Sequence, residues 1–146
     1  MAIIDKDLFR QVERELYNYQ QNVRRLNERR ESILHGSPYP SEGRSKGRIS
    51  DPTATRGGRL ADIEGSEQVR WIECIHDCLR VMPREYKMLV KYKYFDKLKW
   101  WQVADRLHIS ASLYYAWREN VVLQIVLAAT QRGLIQPIKF QEKNTG

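Results

Sequence analysis

The chain has 146 residues, 42% apolar and 29% charged, with four Trp and eight Tyr. That fits a soluble globular or helical protein of one compact domain, or a small domain with an appendage. Lys and Arg outnumber Asp and Glu by 25 to 18, a formal charge of +7, which favours a polyanionic partner without identifying it. The most apolar run, Val121–Ala129, is broken by Gln124 and falls well short of the roughly 20 residues that span a bilayer, so no membrane partner is expected. Met1–Asp7 carries Asp5 and Asp7 with no apolar stretch behind them, so a cytoplasmic location is expected.

From Asp7 to about Leu34 the spacing predicts a helix with a heptad seam. One row is Phe9, Leu16, Val23 and Arg30; the other is Val12, Tyr19, Leu26 and Ile33. Arg10, Glu13, Arg14, Gln20, Arg24, Arg25 and Glu28 flank it. So narrow a stripe asks for a partner helix, either a second copy or the helix expected at 67–82. Residues 1–35 are therefore read as a coiled-coil-like helix.

Gly36–Gly58 holds five Gly, three Pro and four Ser, with Arg44, Lys46, Arg48 and Arg56 and few bulky aliphatics. Such a stretch buries too little surface to offset its ordering entropy, so residues 36–65 are expected to form a flexible basic linker. Its bases allow two readings, a solvated tether or an arm that touches phosphates without sequence preference.

A third segment, residues 66–134, reads as the folded helical domain, and 135–146 as a disordered tail. Val69, Ile72, Ile75, Leu79 and Met82 mark one face of a helix that ends before Pro83. The next helix, Pro83–Tyr94, turns Tyr86, Leu89, Val90 and Tyr94 inward, with a break at Phe95–Lys99. Cys74 and Cys78 stand four apart on a helix with His76 between them. Tetrahedral zinc wants two separated ligand pairs, and His76 points away from the Cys face, so these read as core cysteines and no metal or cofactor is expected. Strand-type alternation is absent over any useful length, and the fold class is all-α.

Trp100–Val122 carries the most specific signal. A helix-turn-helix needs its own small core, with apolar residues at positions 4, 8, 10, 15 and 18 and a small residue at 5. Counted from Trp100, the sequence supplies Val103, Leu107, Ile109, Tyr114 and Trp117, with Ala104 at the crossing. His108 occupies the turn, where a residue tolerant of left-handed backbone is wanted, and Ser110 is placed to cap the second helix. A structural hairpin in a helical bundle would satisfy part of the same pattern. In a DNA-binding corner the second helix enters the major groove. Its outward residues here are Ser110, Ala111, Ser112, Tyr115, Ala116 and Glu119. Ser112 and Tyr115 can hydrogen-bond a base edge or phosphate, Ala111 and Ala116 can touch a thymine methyl, and Glu119 can accept from cytosine. None is an Arg that could grip guanine. Phosphate contacts are therefore expected from Lys97, Lys99, Arg106, Arg118, Lys91 and Lys93, with Trp101 and Gln102 at the start of the first helix.

Residues from about Leu16 to Ala128 resemble the RinA family of phage late transcriptional activators, related to ArpU-type regulators. The resemblance rests on "ELYNY", "GRSKGRISDPTATRGG", "MPREYKMLVKYKYFDKLKWWQVADRLHIS" and "YYAWRENVV", with "SDPTA" its most distinctive piece. Pro83–Val122 is also similar to region 4 of bacterial sigma factors, which reads promoter DNA near polymerase. The chain departs from the family at Ala111, Ser112 and Ala116, where Lys, Arg or another polar residue is frequent. The resemblance implies a sequence-specific activator of phage late genes in the bacterial host cytoplasm, with double-stranded DNA as its partner and RNA polymerase as a possible second one.

Past the recognition positions the helix is expected to run through Gln131 and stop at Gly133. Val121–Ala129 is apolar all round and must be covered on more than one side, which predicts self-association, as a dimer, through this region, the N-terminal seam or both. The alternatives are a DNA-packaging factor of the small-terminase kind, which would form a ring, or a helical structural or oligomerisation protein. An enzyme is not expected: no Cys/His pair, phosphate loop or carboxylate cluster stands at catalytic spacing.

Overall fold

A computed structural model describes residues 5–35 and 52–135, with the side chains of 52–57 left aside. Six α-helices follow one another among the described residues: α1 Lys6–Leu34, α2 Pro52–Glu64, α3 Glu67–Val81, α4 Arg84–Val90, α5 Trp100–Leu107 and α6 Ala111–Gln131. A single π turn, Lys91–Phe95, continues α4. No strand occurs among the described residues, and the all-α reading holds. None of these helices is long and apolar enough to cross a membrane.

The seam of α1 finds its partners within the chain. Val12 and Leu16 are fully buried among Trp71, Cys74, Ile75 and Cys78 of α3, Leu89 and Val90 of α4, Tyr94, and Val121, Val122 and Ile125 of α6. Leu26 and Ile33, further along the same stripe, enter a second small cluster with Ile63 and Val69. At about 1.5 Å per residue α1 is long enough to serve both cores. Arg30, the charged interruption of the seam, donates from Nε and Nη2 to the two carboxylate oxygens of Glu64, 2.7 Å each. A mid-seam arginine thus becomes the clasp between α1 and α2.

That clasp lies on a helix where a linker was expected. Of the 36–65 stretch, Pro52–Glu64 is helical, with Ile63 buried and Leu60 packed beside it. Pro52 begins the helix, where its missing N–H costs nothing. Gly57 and Gly58 lower its intrinsic propensity, and packing of its last turn against α1 outweighs them. Residues 36–51 lie outside the described residues.

Ser66 caps α3, its hydroxyl accepting from the Val69 N–H at 3.3 Å. The core face of α3 is Trp71, Cys74, Ile75, Cys78 and Met82, whereas Ile72 and Leu79, assigned to that face from the sequence, are only partly buried. Both cysteines are buried and free. α6 ends in a Schellman closure: the Gly133 N–H donates to Thr130 O and the Leu134 N–H to Ala129 O, with Gly133 at φ +76°. Leu134 and Ile135 then bury against the main core, so Ile135, the first residue of the expected tail, belongs to the folded part. Residues 136–146 lie outside the described residues.

The apolar wrap of α6 is largely covered by this arrangement. Val121, Val122, Ile125, Val126 and Ala129 are buried by the chain itself, and Leu127 stays exposed. The covering that the sequence assigned to a second copy is supplied mainly by α1, α3 and α4.

Candidate nucleic-acid interface

α5 and α6 form the expected corner. Val103 and Ala104 of α5 and Tyr114 of α6 are buried, and Leu107, Ile109 and Trp117 pack partly buried around them. His108 takes the left-handed conformation, φ 59° and ψ 46°, and turns the chain. The His108 N–H donates to Asp105 O and the Ile109 N–H to Ala104 O, so α5 closes as α6 does, with histidine in the position where glycine is commonest. Ser110 then accepts from the Leu113 N–H at 3.1 Å and starts α6.

Ser110, Ala111, Ser112, Tyr115, Ala116 and Glu119 are all exposed, on the face of α6 turned away from the corner's core. Trp100 and Trp101 are 39% and 52% exposed, and Tyr115 44%. They join in one surface: Trp100 meets Trp101 edge-on at 6.0 Å and lies 5.9 Å from the Tyr115 ring. Gln102 is occupied in part, because its Oε1 accepts from the Lys99 N–H at 2.8 Å and caps α5.

The bases expected to hold phosphate divide into two groups. Four have internal partners. Lys91 pairs with Asp96 at 2.9 Å. Lys97 stands at φ 58°, and its ammonium donates to the carbonyls of Tyr17 and Tyr94 at 3.2 and 3.4 Å. Lys93 sits among the rings of Tyr94, Tyr17 and Tyr114, 5.1, 5.5 and 6.0 Å from their centroids, and donates to the Tyr17 hydroxyl at 3.1 Å. Burial works against its charge, but the bond to Tyr17 and the neighbouring tyrosines outweigh it and raise the ammonium pKa. Arg118 reaches Glu13 at 3.2 Å and lies 4.7 Å over Phe9. Lys99 and Arg106 form the second group: both are exposed and neither is in an ion pair among the described residues, Lys99 beside Trp101 and Arg106 over Tyr92.

Glu13 is the joint of this region. Its Oε2 accepts from the Tyr94 hydroxyl at 2.6 Å and from Arg118 Nε, so one carboxylate ties α1 to the π turn and to α6. Burial, then the nearby Glu13 charge, push the Tyr94 hydroxyl well above its usual pKa, so it stays a donor. Through this joint the first turns of α1 lie beside the outward face of α6. An open groove runs between them, lined by Lys6, Phe9 and Arg10 on one side and Tyr115, Ala116 and Glu119 on the other, with Glu13 and Arg118 also lining it. The sequence reading did not place Lys6 or Arg10 here. Only the apolar stripe shared by residues 9, 12 and 16 pointed to the face of α1 that turns inward.

The family described as "Protein of unknown function (DUF1492)" matches residues 68–125, from the first turn of α3 to the middle of α6. Comparisons with curated proteins and with solved structures returned no match.

Proposed function

We propose that this protein binds duplex DNA through the α5–α6 corner, with the outward face of α6 in the major groove. One observation carries the reading: the six outward residues are all exposed while Val103, Ala104 and Tyr114 behind them are buried. A hairpin serving only to build the bundle would have no need to leave that face and the Trp100–Trp101–Tyr115 surface open. The exposed Lys99 and Arg106, at the two ends of α5, suit phosphate contacts on the groove edges. The resemblance to RinA-type activators and sigma region 4 supports the finer part of the reading. That part is an activator of phage late genes, working in the host cytoplasm as a dimer on DNA and in contact with bacterial RNA polymerase.

Ser112→Glu tests the corner directly. A carboxylate in the first turn of α6 favours the helix and repels a phosphate backbone. We expect a melting temperature no lower than that of the unaltered protein and a loss of duplex affinity of about tenfold or more, measured by fluorescence anisotropy on a labelled mixed-sequence duplex. Unchanged affinity would place the contact elsewhere.

A further inference from the structure

The face that would enter the groove carries no cation, and four of the bases nearest to it in sequence have polar partners within the chain. A different helix places two cations beside that face. Lys6 and Arg10 are one turn apart on α1, both exposed, and neither forms an ion pair among the described residues. They line the same groove as Tyr115, Ala116 and Glu119. Their position is fixed, because Phe9 packs under Arg118, and Glu13, one turn further on, is bonded to Arg118 and Tyr94.

We propose that Lys6 and Arg10 bind the sugar–phosphate backbone on one wall of the major groove that α6 enters, so that α1 is part of the DNA-binding surface. This inference rests on the reading of the corner given above. Packed helices lie about 8–10 Å apart, and the major groove is about 12 Å wide. A helix beside one seated in the groove therefore falls over the groove wall, where the phosphates are. Of the two acidic residues on this groove, Glu13 is neutralised by Arg118 and Glu119 belongs to the base-facing side of α6. Asp5 and Asp7 are exposed near the start of α1 but do not line the groove.

The test is the double variant Lys6→Ala/Arg10→Ala in the full chain, titrated against a labelled mixed-sequence duplex at several salt concentrations. Each phosphate contact contributes about 0.9 to the slope of log K against log salt, so the slope should become shallower by about 1.8, with affinity at low salt reduced. The helical circular dichroism and melting temperature should not change, because both side chains are exposed. An unchanged slope would overturn the inference, and so would tighter binding, which would make α1 a cover over the recognition face. The Ser112→Glu protein in the same titration separates the two claims. If Ser112→Glu abolishes binding and the double variant does not alter it, the corner reading stands and the role of α1 fails. If the unaltered protein binds no duplex at any salt concentration, both fail.

Discussion

Glu13 shows how a single side chain can fix the relative position of three elements. With the Tyr94 hydroxyl and Arg118 both on one oxygen, removing the carboxylate leaves a buried donor and a half-buried guanidinium without their partner. Glu13→Ala is expected to cost about 1–3 kcal/mol in thermal or denaturant unfolding, and Glu13→Gln less, because the amide oxygen can still accept. Trp117 and Tyr115 provide a second contrast. Trp117 packs partly buried, 5.7 Å from the Tyr86 ring, so Trp117→Ala should cost about 3 kcal/mol, at the low end for a large aromatic. Tyr115 lies outside, against Trp100 and Tyr114, and Tyr115→Ala should cost no more than about 1.5 kcal/mol while weakening duplex binding. Equal losses of stability would mean that the helical phase of α6 is misassigned. At this scale the left-handed turn was legible at His108, because the helix-turn-helix pattern demands it there. The same conformation at Lys97 was not, because it serves the end of a π turn that leaves no spacing signal.

Elements were legible where their apolar spacing was long and regular. α1 and the α5–α6 corner follow their stripes closely, and Ser110 caps the helix it was placed to cap. Ser110→Ala should cost about 1 kcal/mol and show it as a lower melting temperature, since it removes the hydroxyl that accepts from the Leu113 N–H. α2 was hidden because its composition is that of a linker, and the contacts it makes among the described residues fall near its end, Leu60 and Ile63 in the small core and Glu64 on Arg30. Pro52 was the available signal, a residue suited to a first helical turn. α1 also carries a titration marker. Burial, set against the Arg14 charge and aided by Glu67, raises the Glu15 pKa, so the folded state disfavours its charged form. Stability from that side chain is therefore greater when it is protonated. Glu15→Gln should melt higher than the unaltered protein at neutral pH, and the gap should close as the pH falls through the carboxylate range. A gap that widens on acidification would contradict that environment.

On the scale of the whole molecule, the sequence specified the class and the corner but not the association of distant segments. Nothing in the spacing of α1 says that Val12 and Leu16 meet α6 more than 100 residues later, or that Lys6 and Arg10 come to flank Tyr115. An amphipathic stripe states that a partner exists and leaves its identity to shape and packing. The same limit explains the expectation of self-association. The all-round apolarity of Val121–Ala129 was correctly read as a demand for covering, and α1, α3 and α4 meet most of it within one chain. Leu127 is the large aliphatic of that run still exposed. Sedimentation equilibrium at micromolar concentration should accordingly show a monomer in the free protein, with any dimer forming on DNA. A stable free dimer would mean that exposed residues such as Leu127 make a real interface, and a ring would favour a packaging role.

If the outward face of α6 reads duplex sequence while cations around it hold the backbone, duplexes that the protein selects from a randomised library at two salt concentrations should share a motif. One enriched motif should persist at the higher salt and disappear with Tyr115→Ala. Binding without an enriched motif, lost altogether at modest salt, would contradict that reading and leave only non-specific attraction between a basic protein and a polyanion.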